Sequence, residues 1–381
     1  MNRIERMLQE LCPEGVEYKT IQETVGVNRG RRLTKSQLSD DGRYEVYHGS
    51  KDSILGKFNQ FNAPANTVIV INTGGIGGVK FLDKPFWCSD GSFWLGQVNY
   101  VNNKFLYYYL VGFEDYFYSQ KRIGGVPTID RNVIEKFEIP IPPLPIQEEI
   151  VRILDHFTEL TASLQAELQA RQEQYEYYRN RLLSFDDDIP KMKLNDIVTF
   201  MNGKGHEKYI EDKGAYIVVN SKFISSNGKV IKYSNSQISP VYEGMILMVM
   251  SDLPNGKALA RCFVVDADNK YTLNQRIGAF TIRDKKLITT PFLYYILNRN
   301  EQLLLYDNGV DQTNLRKGDI LNIVIPIPPI SEQQRIVAIL DKFETLVNDL
   351  SQGLPAEIAA VQEQYEYYRN KLLTFNHIES N

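Results

Sequence analysis

Two stretches of the chain carry apolar residues at alternating spacings of four and three. In the first, Ile150, Leu154, Phe157, Leu164, Leu168, Tyr175, Tyr178 and Leu182 fall on one line, interrupted only by Thr161 and Arg171. In the second, the line runs through Ile336, Leu340, Phe343, Val347, Leu350, Leu354, Ile358, Val361, Tyr365, Tyr368 and Leu372. This is the seam pattern of a coiled coil. It predicts helices from Gln147 to Leu183 and from Gln333 to Leu373, each about 55–60 Å long at 1.5 Å per residue. The second seam breaks to four and four at Leu350, Leu354 and Ile358, a stutter that locally unwinds a supercoil. Gly353 and Pro355 sit there, so the helix is expected to kink or restart at Pro355. Elsewhere the pattern is shorter. Thr67 to Asn72 and Met245 to Met250 are apolar, partly β-branched runs beside turn residues, which predict buried strands in mixed α/β domains.

The helical stretches are near-copies. Ile-Pro-Ile-Pro-Pro at 139–143 recurs at 325–329, and Gln-Glu-Gln-Tyr-Glu-Tyr-Tyr-Arg-Asn at 172–180 recurs at 362–370. Twelve of the fourteen residues in 172–185 are identical in 362–375. Fainter echoes reach into the segments before them: Phe105-Leu106-Tyr107-Tyr108 matches Phe292-Leu293-Tyr294-Tyr295, and Gly30-Arg31 matches Gly203-Lys204. A period of about 190 residues is far longer than a solenoid repeat, so the chain is read as a tandem duplication of a variable domain followed by a near-constant helix. The expected division is 1–141, 142–189, 190–326 and 327–381. Antiparallel pairing of the helices would relate the two copies by a pseudo-twofold axis, suited to a two-part target.

Charge follows the same division. The net charge of −4 over 381 residues argues weakly against nucleic acid, but 1–140 sums to +1, 141–189 to −6, 190–326 to +5 and 327–381 to −4. Phosphate is therefore expected on the domains and repelled along the helices. No apolar run approaches the ~20 residues that span a bilayer, and the N-terminus lacks the basic-then-apolar order of a signal peptide, which predicts a cytoplasmic protein with no membrane partner. Cys12, Cys88 and Cys262 show neither disulfide nor zinc spacing.

Catalytic signatures are missing. Thr73 to Gly78 matches neither nucleotide-binding glycine motif and reads as a tight structural loop, though its N–H groups could approach a phosphate. The four histidines lie at no metal-ligand spacing, and His156 reads as a helix-surface residue. No convergent set for a nuclease or hydrolase is found, nor the Asn-Pro-Pro-aromatic motif of amino-methyltransferases. We therefore expect no catalytic, cofactor or metal residues. Tyr175 and Tyr178 belong to the seam, leaving Tyr177 and Arg179 on the surface for partners. The densest basic cluster is Arg29, Arg31, Arg32 and Lys35, with Lys204, His206 and Lys208 at the matching place in the second copy. His48, Ser50 and Lys51 match Asn220, Ser221 and Lys222 as donors and acceptors able to reach base edges. These are the candidate DNA-binding residues. A coiled-coil scaffold whose basic domains bind a protein or RNA is the competing reading.

The Ile-Pro-Ile-Pro-Pro element, the following Ile-Val-x-Ile-Leu-Asp and the Gln-Tyr-Glu-Tyr-Tyr-Arg run together resemble the specificity subunit of type I restriction-modification systems, as does the opening Leu8-Gln9-Glu10-Leu11-Cys12-Pro13-Glu14-Gly15-Val16. The resemblance covers the whole chain. It implies an α+β fold in which two mixed α/β target recognition domains alternate with two long helices paired as an antiparallel coiled coil. Each domain would read half of a bipartite double-stranded DNA target, and the helices would fix the gap. Two adenine-N6 methyltransferase subunits carrying S-adenosylmethionine would dock on the chain, and a motor-nuclease restriction subunit would join them. The chain itself would not catalyse.

Overall fold

The computed structural model describes residues 3–122, 124–254, 256–348 and 353–378. The chain folds as two compact units, one comprising Met1–Glu167 with Ala356–Asn381 and the other Leu168–Pro355. The units are drawn by packing and cut across the linear division expected from the repeat, because each takes in part of both helical stretches.

In the first unit a four-stranded antiparallel sheet has the order Val27–Arg29, Ser92–Leu95, Thr67–Ile71, Val79–Leu82. A three-stranded sheet has the order Gly56–Phe58, Tyr44–Tyr47, Trp87–Cys88, its last two strands parallel. The second unit repeats both. Its four-stranded sheet runs Val198–Asn202, Ile277–Ile282, Ile246–Val249, Cys262–Val264, and its three-stranded sheet Tyr233–Ser234, Tyr216–Val219, Tyr271–Leu273, again with the last pair parallel. The apolar runs found in the sequence are the central strands Thr67–Ile71 and Ile246–Val249, buried at every position. Side chains alternate across a strand, so Val68 and Val70 enter one core while Ile69 and Ile71 enter another. Ile246 and Met248 part from Leu247 and Val249 in the same way. Burial on both faces explains why these runs are continuous rather than alternating.

The Pro-rich segments form short strands. Glu138–Pro140 pairs antiparallel with Tyr18–Thr20, and Val324–Pro326 with Lys191–Lys193. Proline donates no ladder bond, and in each case the strand ends there and the chain turns into a helix. The central helix spans Leu144–Leu183, three residues longer at its start than the seam indicates. The second helical stretch is broken, as the stutter suggests, into Ile330–Asn348 and Leu354–Leu372, with Pro355 in the first turn of the latter. Leu350 lies outside the described residues.

Seam contacts occur within each unit. In the first, Phe157 stacks on Tyr368 at 5.5 Å; Ile153 and Leu372 line a cleft on one side of this pair and Gln165 and Gln362 a cleft on the other, as in two antiparallel segments. In the second, Tyr178 stacks on Phe343 at 5.6 Å. The start of each helical stretch also belongs to the core of the domain before it: Ile146, Ile150 and Leu154 join Phe105 and Leu106, and Ile336 and Leu340 join Phe292 and Leu293.

A matched polar clamp fixes each of these junctions. Gln147 is fully buried; its amide donates to the carbonyls of Tyr100 (3.0 Å) and Pro142 (2.7 Å), and its oxygen accepts from the Asn102 N–H (2.7 Å). Gln333, equally buried, donates to Leu287 (3.0 Å) and Pro328 (2.9 Å) and accepts from Thr289 (2.9 Å). A second matched contact follows about two turns on, where the hydroxyls of Tyr108 and Tyr295 each donate at 2.6 Å to Asp155 and Asp341. Burial and the carboxylate together push both phenol pKa values far up, so both hydroxyls remain donors.

Candidate nucleic-acid interface

Parallel pairing of Tyr44–Tyr47 with Trp87–Cys88 brings the two strand exits to the same edge. The Ser89 N–H donates to the Tyr47 carbonyl at 2.8 Å, and the Gly91 N–H to His48 Nδ1 at 3.2 Å. In the second unit the Asn274 N–H donates to the Val219 carbonyl at 3.1 Å, which puts Asn220 where His48 stands. The Arg-rich segment joins the same edge through a glycine. A Cβ on Gly30 would lie 1.9 Å from the Ser89 carbonyl oxygen, and one on Gly203 2.0 Å from that of Asn274, so neither position can carry a side chain. The next residue is fixed alike in both: the Arg31 N–H donates to Cys88 O at 2.9 Å, and the Lys204 N–H to Leu273 O at 3.1 Å. The faint sequence match between these positions is a match of tertiary seats.

Arg29, Arg31, Arg32 and Lys35 are exposed, as are Lys204, Lys208 and Lys222. None of the seven has a carboxylate partner among the described residues. His48 is half-buried, 3.4 Å from Asp90. Ser50 is half-buried and accepts from the N–H groups of Asp52 and Ser53. Asn220 caps the helix Ser221–Ser225, accepting from Phe223 N at 2.9 Å; Ser221 follows it, half-buried.

Three expected surface residues are placed differently. His206 is fully buried, with Nδ1 at 2.7 Å from Lys204 O and Nε2 at 2.8 Å from Thr272 Oγ1, so it braces the loop and cannot reach a ligand. Lys51 gives its charge to Glu114, with Nζ–O distances of 2.7 and 2.8 Å. Arg179 is buried and donates to the carbonyls of Tyr295 and Asn298, satisfying the open C-terminal end of the helix Thr290–Leu297. Tyr177 does remain exposed, at 59%, and its counterpart Tyr367 matches it at 60%.

The glycine loop is structural. The N–H groups of Gly75, Gly77 and Gly78 are spent on Gly49, Ile71 and Gly75 carbonyls, and Gly74, at φ +82°, packs against Gly49 where a Cβ would come within 2.5 Å of its oxygen. Burial pushes the Cys88 and Cys262 thiols well up, away from thiolate chemistry. Among the described residues no group of three His, Cys, Asp or Glu is arranged to hold a metal, and no helix is long and apolar enough to cross a membrane.

Residues 124–128 and 307–314 also reach this edge, a placement not read from the sequence. Thr128 bridges to Thr73, and Thr313 and Asn314 pair with Asp252 and Ser251. The recurring Gly-Val at 125–126 and 309–310 is the signal that marks them. Exposed Arg276, at the position of Gly91, is a further cation on the second copy of the edge.

The model of the type I restriction modification DNA specificity domain matches residues 13–171 and again 187–360. A type I restriction enzyme specificity subunit assigned in Haemophilus influenzae is 29% identical over 95% of this chain and 96% of its own length. The EcoR124I/EcoR124II specificity subunit of Escherichia coli is 34% identical over 68% of this chain and 64% of its own. The fold is similar to the crystal structure of the type I system S subunit from M. genitalium, with a TM-score of 0.59 at 18% identity over 94% of this chain and 96% of that one. With two matched copies of the domain filling most of its length, the chain belongs to the family of type I restriction-modification specificity subunits.

Proposed function

We propose that this chain is the non-catalytic, sequence-reading subunit of a type I restriction-modification complex, each domain contacting one half of a bipartite duplex. The observation that carries this reading is the loop edge built twice, with unpaired exposed cations beside strand exits rich in donors and acceptors. Exposed arginine and lysine supply the phosphate attraction that positions a protein on DNA, while His48, Ser50, Asn220 and Ser221 stand where base edges could be read. The helices set the gap between the half-sites. The matched exposed tyrosines Tyr177 and Tyr367, on identical sequence, suit two copies of one partner, and we assign them to two adenine-N6 methyltransferase subunits that bring S-adenosylmethionine. A restriction subunit completes the assembly, which works in the cytoplasm.

The test is selection from a random duplex library by the chain assembled with its modification subunits. Enrichment of one interrupted motif, with two fixed half-sites and a constant gap, is the expected result. Salt-insensitive capture of RNA or protein with no enriched duplex would reject this reading and favour a scaffold.

A further inference from the structure

Val126 and Val310 are each 75% exposed and lie in corresponding loops of the two copies, three residues before Ile129 in the first and five before Leu315 in the second. Each follows a glycine in the left-handed region, Gly125 at φ +88° and Gly309 at φ +68°. The bases of the two loops are locked alike. The Ile129 N–H donates to the Asn72 carbonyl at 2.9 Å, and the Leu315 N–H to the Met250 carbonyl at 2.8 Å. A single exposed aliphatic residue is ordinary on any protein, but a β-branched one, stiff at χ1, held at a turn on the same edge in both copies, is a built feature. Val126 shares a cleft of about 390 Å³ with His48, Ser50, Thr73 and Gly74. Arg316 and Lys317 are exposed beside the second loop, while Arg122 beside the first is exposed but paired with Asp130. A lone apolar point on a polar edge fits a nucleic-acid groove better than a protein face, which needs a continuous apolar centre.

We propose that Val126 and Val310 are apolar probes that enter the DNA groove and pack on the C5-methyl of a thymine, one in each half-site. That methyl is the apolar feature a base edge offers in the major groove. The inference rests on the DNA-reading function proposed above. Each valine thereby contributes specificity for its own half and nothing to attraction for random DNA.

The experiment uses the full chain assembled with its modification subunits, the selected target duplex, and duplexes in which single thymines are replaced by uracil. The wild-type complex should lose about fourfold in affinity, one buried methyl's worth, at one thymine in the half read by the first domain. Val126→Ser should lose at least as much on the thymine duplex and nothing further on the uracil duplex, while Val126→Ile stays near wild type. Val310→Ser should do the same in the other half only. Unchanged target affinity in both serine variants would overturn the proposal, as would equal loss on random DNA. Release of a modification subunit by Val126→Ser would assign the tip to a protein contact and overturn it too. A wild-type complex that prefers no duplex over random DNA overturns the DNA-reading function itself, and needs no variant to show it.

Discussion

A cation attracts phosphate only to the extent that the protein has not already neutralised it. Arg31 and Lys204 occupy equivalent seats, exposed and without a carboxylate partner among the described residues, whereas Lys51 lies on Glu114. Arg31→Ala and Lys204→Ala should therefore each lower the slope of log affinity against log salt by about one. Lys51→Ala should leave that slope nearly unchanged. Fluorescence titrations of the assembled complex between about 50 and 200 mM salt distinguish the three. At this scale the sequence is only half legible. Lys204 and His206 look alike two residues apart, yet Thr272, 66 residues on, turns the histidine inward. Glu114 is 63 residues from the lysine it neutralises. Pairings across such separations leave no local pattern, and only the recurrence of Gly-Arg and Gly-Lys marks the seats.

Elements were far more legible, because period and duplication record them directly. The seam located the central helix to within three residues at its start and none at its end, and the stutter marked the break near Pro355. Gln147 and Gln333 escaped notice, since a glutamine in a first helical turn normally faces water. Each is fully buried and makes three bonds that tie a domain loop and the Pro-rich segment to the helix. Gln147→Leu would leave two carbonyls and one N–H unpaired in a dry site. It should destabilise the first domain by on the order of 3 kcal/mol, read as a lowered urea midpoint. Proteolysis should then cut the first domain ahead of the second, because Gln333 still clamps the latter.

On the scale of the whole molecule, duplication governs everything else. One central helix contributes its first part to one compact unit and its last part to the other, and the C-terminal residues return to the first: the Val16 N–H donates to Asn376 O at 2.8 Å, and His377 stacks on Tyr18 at 4.8 Å. Boundaries drawn along the sequence mark where each helical stretch begins, not where its packing partner changes, so a division by packing shares both stretches between the units. The central claim is that this chain chooses an interrupted DNA target for a partner that modifies it. The most direct measurement is a genome-wide map of N6-methyladenine in cells with and without the gene, the modification partner left expressed. One bipartite motif should lose its methylation on deletion and regain it on complementation. An unchanged map, with the partner present and active, would contradict the claim.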